Sequence, residues 1–427
     1  QPDQPVNPAS LMKLLTTFAG LDLLGPAWAW STPLWLNGSV RDGVLDGDLV
    51  IRGSGDPNLV IERIWLMLKR VRQAGVRDIG GDIVLDRNAF AVPAESPGDF
   101  DGEALRPYNV GADALMLNFK TLDLTITPDV ASGVARLAVD PPLAGMQLDA
   151  SVPLESGPCT NWRGVLRADF SDPLRLRFAG AFPVACGVKT WATAYADPGR
   201  YNARALLGLW QDMGGRLGGS VRDGEAPASL PSLEIASPPL AEIVRDINKY
   251  SNNVMAQQLF LTLGLTQRGS GTPDAAREVL HQWAIQRFGA QASVGLVIDN
   301  GSGLSRQTRV SANLLTRLLQ AAWASPVMPE LMSSLPVSGV DGTLRRSESA
   351  PARAHLKTGS LTGVAGVAGY VLANSGRRYA VVAIVNHARA HAARPVFDAM
   401  LRWTADDAGD DAKLDSRPHR NRNGTAP

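Results

Sequence analysis

The N-terminal segment reads Asn7-Pro8-Ala9-Ser10-Leu11-Met12-Lys13 and leads into an apolar run that continues to Leu24. The spacing of its apolar side chains predicts a helix that starts at about Ser10 and stops before Gly25-Pro26. Residues three positions apart share one face of a helix, so Ser10 and Lys13 are expected to meet. A buried lysine can take the proton of a serine hydroxyl, which makes the serine a good nucleophile. The segment therefore predicts a nucleophile with its base; the alternative is an ordinary helix with an exposed lysine.

Bulk composition limits the possible classes of protein. The chain has 427 residues, of which 45% are hydrophobic and 19% charged, as is typical of globular proteins with two or three domains. A net charge of +1 argues against a nucleic-acid-binding protein. No apolar run reaches the length of a transmembrane helix. No signal peptide is visible and Ser10 lies close to the first residue, so we expect the natural protein to begin further upstream.

The two cysteines, Cys159 and Cys186, bear on the cellular compartment. Both lie in Gly- or Pro-containing stretches of a region that is rich in short strand-like runs. Such a pair is typical of one disulfide that closes a loop in an oxidising compartment. Two unrelated buried thiols are the alternative. The disulfide interpretation predicts an exported, periplasmic protein.

Hydrophobic periodicity divides the chain into three parts. Strand-like runs occupy the middle, at 48–52, 82–86, 122–127, 134–139, 147–152, 164–170 and 174–178. Helical patterns dominate after residue 201, followed by strand-like runs at 354–356, 367–372 and 379–385 and a closing helix at 392–403. This order predicts an α/β (α+β) domain, residues 1–36 and 196–405, with a sheet flanked by helices. A β-rich insertion of one or two small domains, 37–195, would interrupt it, and 406–427 would form a disordered tail.

Two further triplets change the interpretation of Ser10 and Lys13. Ser251-Asn252-Asn253 lies in a polar break between two helical patterns, and Lys357-Thr358-Gly359, followed by Ser360, lies at a strand edge. The glycine there would let another backbone approach closely. Each triplet alone is ordinary turn chemistry. In the order Ser-x-x-Lys, Ser-x-Asn, Lys-Thr-Gly, the three are the motif set of active-serine penicillin-binding proteins and β-lactamases.

The sequence resembles the D-alanyl-D-alanine carboxypeptidases and DD-endopeptidases among the low-molecular-mass class C penicillin-binding proteins. The resemblance covers roughly residues 5–403, and the long insertion between the first two triplets distinguishes this class from relatives that have the triplets close together. The motifs that carry the resemblance are Asn7–Lys13, Gly55–Asn58, Asp299–Ser305, Gly342–Leu344 and His355–Ser360. It implies a penicillin-binding, β-lactamase-like transpeptidase fold and activity on peptidoglycan peptides, with β-lactam antibiotics as further ligands.

The resemblance also implies a role for each site residue. Ser10 would be the nucleophile and Lys13 its general base. Ser251 would pass a proton to the leaving amine, and Asn253 would hold Lys13 and the substrate amide. The substrate's terminal carboxylate would bind at the triplet Lys357-Thr358-Gly359 through the lysine and threonine side chains, and the backbone N–H groups of Ser10 and Ser360 would form the oxyanion hole. No metal and no cofactor is implied.

One departure and two alternatives accompany the resemblance. Some relatives place an acidic residue of the insertion at the mouth of the site, and the best match here is Asn118, which leaves the side-chain preference open. A serine β-lactamase is the first alternative, although no sequence element clearly supplies a deacylating base. A non-catalytic cell-wall-binding relative is the second, although all three triplets are intact. The five histidines include no metal-ligand pattern. The balance of carboxypeptidase and endopeptidase activity and the oligomeric state are not determined by the sequence.

Overall fold

The computed structural model describes residues 1–93 and 96–409. Its ten α-helices are α1 (Met12–Leu24), α2 (Ile61–Gln73), α3 (Trp162–Leu166), α4 (Tyr201–Asp212), α5 (Leu240–Lys249), α6 (Asn253–Arg268), α7 (Pro273–Phe288), α8 (Ala312–Trp323), α9 (Met328–Ser334) and α10 (Arg394–Ala405). The strands are β1 (Ser31–Arg41), β2 (Val44–Arg52), β3 (Asp78–Ile79), β4 (Ile83–Asp86), β5 (Thr121–Asp129), β6 (Val134–Asp140), β7 (Gln147–Leu148), β8 (Ser151–Glu155), β9 (Ala168–Asp169), β10 (Arg175–Phe178), β11 (Phe182–Pro183), β12 (Lys189–Ala194), β13 (Val221–Asp223), β14 (Leu233–Ala236), β15 (Ala354–Leu361), β16 (Val364–Leu372) and β17 (Arg378–Asn386).

The first core surrounds α1. Every residue of this helix from Met12 to Leu21 is buried, because α5, α6, α7, α8 and α9 pack around it. A helix that is apolar on all sides belongs inside a bundle, which agrees with the uninterrupted apolar run in the sequence. The antiparallel sheet β15-β16-β17 covers one side of this bundle and is itself covered by α10. The predicted α/β fold with a sheet flanked by helices is therefore confirmed.

A second core lies in the inserted region. One sheet has the order β13-β4-β2-β1-β14, with β3 paired to β2, and a second has the order β11-β8-β6-β5-β12. Both sheets share this core with α2 and α4. In the part of the chain that the structure describes, none of these strands pairs with β15, β16 or β17. The strands of the predicted insertion therefore pair among themselves, with β13 and β14, and not with the sheet that carries the third triplet.

Contacts on both sides of the predicted insertion, 37–195, indicate where its borders lie. Strand β1 begins at Ser31 and pairs with β14, from Ser31 opposite Ala236 to Leu34 opposite Leu233. Helix α4 contributes Tyr201, Leu206 and Trp210 to the second core. We therefore propose borders near residues 30 and 237, where the chain leaves and rejoins the bundle. Helix α4 reads as part of the C-terminal helical region in the sequence because periodicity does not specify which core a helix packs against.

Two local predictions also differ from the structure. The run 164–170 is predicted as one strand, but its residues 164–166 belong to α3, whose first turn is capped by the Asn161 side chain. Within this run only Ala168–Asp169 is a strand, β9. The prediction of a disordered tail from residue 406 does not hold for Asp407, which accepts hydrogen bonds from Ser375 and Tyr379. The rest of the predicted tail, 410–427, lies outside the described residues.

The predicted disulfide is present in the structure. Cys159 and Cys186 form a disulfide, as predicted, in the inserted region. Among the described residues, none of the helices is long and apolar enough to span a bilayer.

Candidate active site

The Ser10 hydroxyl lies at the entrance to α1, next to a buried lysine. Ser10 sits in a short 3₁₀ turn, Ala9–Leu11, that runs directly into α1. Lys13 is one turn further along and its side chain is completely buried. The Lys13 Nζ lies 3.1 Å from Ser10 Oγ. The predicted meeting of the two side chains on one helical face is thus present in the structure.

The second triplet is brought to Lys13 by the turn between α5 and α6. Ser251 has a left-handed backbone with φ 56°, which reverses the chain between the two helices. Asn252 then caps α6 by accepting a hydrogen bond from the Met255 backbone N–H. The next residue, Asn253, therefore points its side chain back into the bundle, where its Oδ1 accepts a hydrogen bond of 2.6 Å from Lys13 Nζ.

A loop from the 299–305 motif closes the other side of Lys13. The backbone carbonyl of Ser302 accepts a hydrogen bond of 2.7 Å from Lys13 Nζ. Thr16, one turn along α1, donates to the carbonyl of Gly301. A Cβ on Gly303 would lie 1.9 Å from the Ala9 carbonyl oxygen, so only glycine permits this approach. The sequence motif therefore holds a loop carbonyl against the lysine, a role that the triplets alone did not indicate.

The third triplet lies on the edge strand β15. Successive residues of a strand face opposite sides, so Lys357 and Gly359 share one face. Lys357 is fully buried, and its Nζ donates a hydrogen bond of 2.9 Å to Ser251 Oγ. A Cβ on Gly359 would lie 2.6 Å from the Pro8 carbonyl oxygen. The strand can therefore lie directly against the Ser10 turn, as expected for a glycine at this position.

Thr358 and Ser360 lie on the other face of β15 and line an open cleft. Thr358 Oγ1 is 3.0 Å from the hydroxyl of Thr343, which belongs to the Gly342–Leu344 motif. The structure thus joins Ser10, Lys13 and Asn253 by hydrogen bonds, and Ser251 and Lys357 by another. Thr358 and Ser360 lie beside Lys357 on the same strand.

Burial lowers the pKa of both lysines. Desolvation lowers the pKa of Lys13 well below the ordinary lysine value, and the charge of Lys357 lowers it further. Desolvation also lowers the pKa of Lys357, to about 7. The neutral form of a lysine has two N–H donors and one lone pair. Because Asn253 Oδ1 and the Ser302 carbonyl only accept hydrogen bonds, they occupy the two donors of neutral Lys13. Its lone pair is then left facing Ser10 Oγ, which is the geometry of a general base.

The inserted region also reaches the site. Asn253 Nδ2 donates a hydrogen bond of 3.3 Å to the backbone carbonyl of Tyr108, which fixes the amide so that Oδ1 faces Lys13. Further along α6, the buried Gln258 accepts from the Asp113 backbone N–H and donates to the carbonyls of Gly55 and Asp113. Backbone contacts of this kind leave no side-chain signature in the sequence, so Tyr108 was not foreseen.

The Asn118 side chain makes its hydrogen bonds to backbone groups of the predicted insertion. Its buried side chain accepts from the Ile61 backbone N–H at the start of α2 and donates to the Thr121 carbonyl. The residue supports the junction of α2 and β5, and its match to an acidic mouth residue stays a prediction.

A serine with a buried lysine of lowered pKa on its own helix turn, beside a Lys-Thr-Gly edge strand, defines an active-serine hydrolase of the penicillin-binding type. A family model of the D-Ala-D-Ala carboxypeptidase 3 (S13) family matches residues 1–407, and the chain belongs to this family. It is therefore a serine-type D-Ala-D-Ala carboxypeptidase, a hydrolase that acts as a DD-peptidase.

Individual relatives agree with this assignment. The D-alanyl-D-alanine carboxypeptidase of Actinomadura sp. (strain R39) is 28% identical over 438 residues, which cover 97% of this chain and 79% of that protein. The D-alanyl-D-alanine carboxypeptidase DacB of Haemophilus influenzae is 25% identical over 390 residues. These residues cover 88% of this chain and 80% of that protein. The crystal structure of penicillin binding protein 4 from Haemophilus influenzae has the same fold. The two structures superpose with a TM-score of 0.71 at 23% sequence identity. The matched region covers 90% of this chain and 86% of the Haemophilus influenzae chain.

Proposed function

We propose that this protein removes the terminal D-alanine of peptidoglycan stem peptides through an acyl-enzyme on Ser10, and that β-lactams acylate the same serine. The observation that carries the proposal is the Lys13 environment. Two acceptors occupy both donors of the neutral amine, so its lone pair is directed to Ser10 Oγ at 3.1 Å. A solved Haemophilus influenzae relative holds a β-lactam, and a Bdellovibrio bacteriovorus endopeptidase of the same fold is acylated by penicillin G.

The proposed reaction follows from these contacts. Lys13 takes the hydroxyl proton as Ser10 Oγ bonds to the carbonyl carbon of the penultimate residue. The backbone N–H groups of Ser10 and Ser360 stabilise the oxyanion. Ser251, held by Lys357, passes a proton to the leaving amine as the amide bond breaks. Water then hydrolyses the ester and restores the Ser10 hydroxyl.

Recognition of the substrate would use the terminal carboxylate. Lys357 Nζ and Thr358 Oγ1 lie on adjacent residues of β15, and Ser251 Oγ is within hydrogen-bond distance of Lys357. A carboxylate at this point receives charge-assisted hydrogen bonds. It also favours the charged form of Lys357, which counteracts the effect of burial. This arrangement explains how a lysine with a lowered pKa serves as an anion anchor.

The disulfide supports an exported, periplasmic location as part of the proposal. Disulfides persist in oxidising compartments such as the periplasm and are rare in the cytosol. Peptidoglycan is also built outside the cytoplasmic membrane, where an enzyme that trims its peptides would work.

Labelling with a fluorescent penicillin tests the proposal. We expect one covalent label per wild-type chain, none in Ser10→Ala, and slow loss of the label afterwards. Release of D-alanine from a peptide ending in D-Ala-D-Ala should follow the same pattern. Label that persists in Ser10→Ala would reject Ser10 as the nucleophile, and rapid turnover of penicillin would identify a β-lactamase instead.

A further inference from the structure

The helix that carries Asn253 is lined by a short segment of the inserted region, residues 108–113. At one end of this segment, the Tyr108 carbonyl accepts a hydrogen bond of 3.3 Å from Asn253 Nδ2. At the other end, the backbone of Asp113 meets the side chain of Gln258, which lies more than one turn further along α6. The segment 108–113 is therefore held to α6 at both ends, once at a residue of the active site and once away from it.

Gln258 uses its whole side-chain amide for this attachment. Its Oε1 accepts a hydrogen bond of 3.0 Å from the Asp113 backbone N–H. Its Nε2 donates to the carbonyls of Asp113, at 2.8 Å, and of Gly55, at 3.2 Å. The residue is fully buried, where an amide is tolerated only if it is hydrogen-bonded. Because Gln258 bonds both the N–H and the C=O of Asp113, it fixes the position and the direction of the chain there.

The Asp113 end of the segment is anchored in the inserted region. The Asp113 carboxylate is 1% exposed and pairs at 2.6 Å with Arg87 and at 2.6 Å with the buried Lys120. Breaking a buried ion pair is costly, so this end of the segment holds its place. Between the two ends, Val110 packs against Val254 of α6. The Gln258 contacts therefore align an anchored part of the inserted region with the active-site helix.

The same helix carries a second glutamine that makes no such attachment. Gln257 adjoins Gln258 in the sequence but is partly exposed. Among the residues that the structure describes, no hydrogen bond is made by the Gln257 side chain. Consecutive residues of a helix point in directions about 100° apart, so the two glutamines face different surroundings. The pair provides a matched comparison of an attached and an unattached glutamine.

The orientation of the Asn253 amide decides the direction of the Lys13 lone pair. With Nδ2 held by the Tyr108 carbonyl, Oδ1 accepts a hydrogen bond of 2.6 Å from Lys13 Nζ. Without that carbonyl, the amide is free to turn and to present Nδ2, a donor, to the lone pair of neutral Lys13. The lone pair would then no longer face Ser10 Oγ. The position of the segment 108–113 therefore bears directly on the proposed base.

We propose that Gln258 is a positioning residue for acylation. By attaching the segment 108–113 to α6, it keeps the Tyr108 carbonyl at the place where it orients Asn253 toward Lys13. The inference rests on the proposed function and extends it, because it makes the inserted region part of the machinery that activates the nucleophile.

A double-mutant cycle on penicillin acylation tests this role. The first variant is Gln258→Met, which keeps the length of the side chain and removes its hydrogen bonds. The same change at the neighbouring position, Gln257→Met, is the matched control. Both changes are made in the wild type and in Asn253→Ala, which lacks the amide that Gln258 orients. Acylation rates are measured with a fluorescent penicillin across pH, beside thermal unfolding of each variant.

We expect Gln258→Met to lower the maximal acylation rate about tenfold and Gln257→Met to leave it unchanged. The acid limb of the pH profile should also move to lower pH in Gln258→Met, because the charged form of Lys13 loses the Oδ1 acceptor of Asn253. The charge of Lys357, which also lowers the pKa of Lys13, is the same in every variant. In Asn253→Ala, the change Gln258→Met should have no further effect, since the amide through which it acts is gone.

An equal decrease in both backgrounds, an acid limb that stays in place, or a wild-type rate in folded Gln258→Met would overturn the positioning role. If Gln258→Met does not fold, Gln258→Glu takes its place in the cycle with the same expected result. Glutamate keeps the acceptor for the Asp113 N–H and loses the two donors. All these outcomes leave the proposed function intact as long as penicillin acylates the wild type and not Ser10→Ala. Absence of acylation in the wild type would reject the function and the positioning role together.

Discussion

The role of Lys13 as a base predicts a sharp difference between two cationic side chains. Arginine also carries a positive charge on a long stem, but it has no acceptor and effectively never deprotonates in proteins. If Lys13 served only as a charge or as packing, Lys13→Arg would retain much of the activity. If Lys13 is the base that its burial and contacts indicate, the variant cannot take the Ser10 proton.

The expected loss can be estimated from the site. Loss of a positioned general base typically lowers a rate about 10²–10⁴-fold, or about 3–5 kcal/mol of activation free energy. We expect at least this decrease in the second-order rate of penicillin acylation for Lys13→Arg. Lys357→Arg should be less affected, because an anion anchor needs only a positive charge within reach.

Lys13 has no exposed surface, so the larger arginine can disturb packing. Lys13→Met therefore serves as the second variant, since it keeps the stem and removes the amine. It leaves Asn253 Oδ1 and the Ser302 carbonyl without a partner, which costs about 1–3 kcal/mol for each group. Stopped-flow acylation with a fluorescent penicillin, run beside thermal unfolding, separates lost chemistry from lost stability. Acylation of folded Lys13→Arg within about threefold of the wild-type rate would refute the base assignment.

Three further predictions concern pH, the edge strand and the disulfide. The acylation rate of the free enzyme should rise with pH as Lys13 loses its proton, and it should fall above about pH 7 as Lys357 loses its proton. In Lys357→Arg the decrease at alkaline pH should disappear. If the decrease persists in this variant, it belongs to the titration of another group. Gly359→Ala should lower the acylation rate at least tenfold, because its Cβ would displace the Ser10 turn at Pro8; a wild-type rate would show that β15 adapts without cost. Cys159→Ser should lower the free energy of unfolding by about 2–4 kcal/mol in denaturant titrations while penicillin still labels the folded protein; loss of labelling in the folded variant would connect the disulfide loop to catalysis.

The sequence by itself determined the order of the helical and β-rich regions along the chain and most of the proposed reacting groups. Ser10 and Lys13 meet because three residues span nearly one helical turn, which is a local property. The placement of the other two triplets, in an interhelical turn and at a strand edge, also follows from local pattern. Chemistry that depends on residue type at short spacing is therefore readable from the chain.

Tertiary structure decided what depends on contacts between distant segments. The burial that lowers the pKa of Lys13 arises because α5–α9 surround α1, and the Ser302 carbonyl and the Tyr108 carbonyl reach the site from remote loops. The insertion ends near residue 237 because β14 pairs with β1, which periodicity cannot reveal. Every residue has a backbone carbonyl, so residue type does not show which carbonyl will contact the site. Strand partners likewise depend on the whole fold. For this reason the residues that hold the lysine and the cleft beyond Thr358 became visible only in three dimensions.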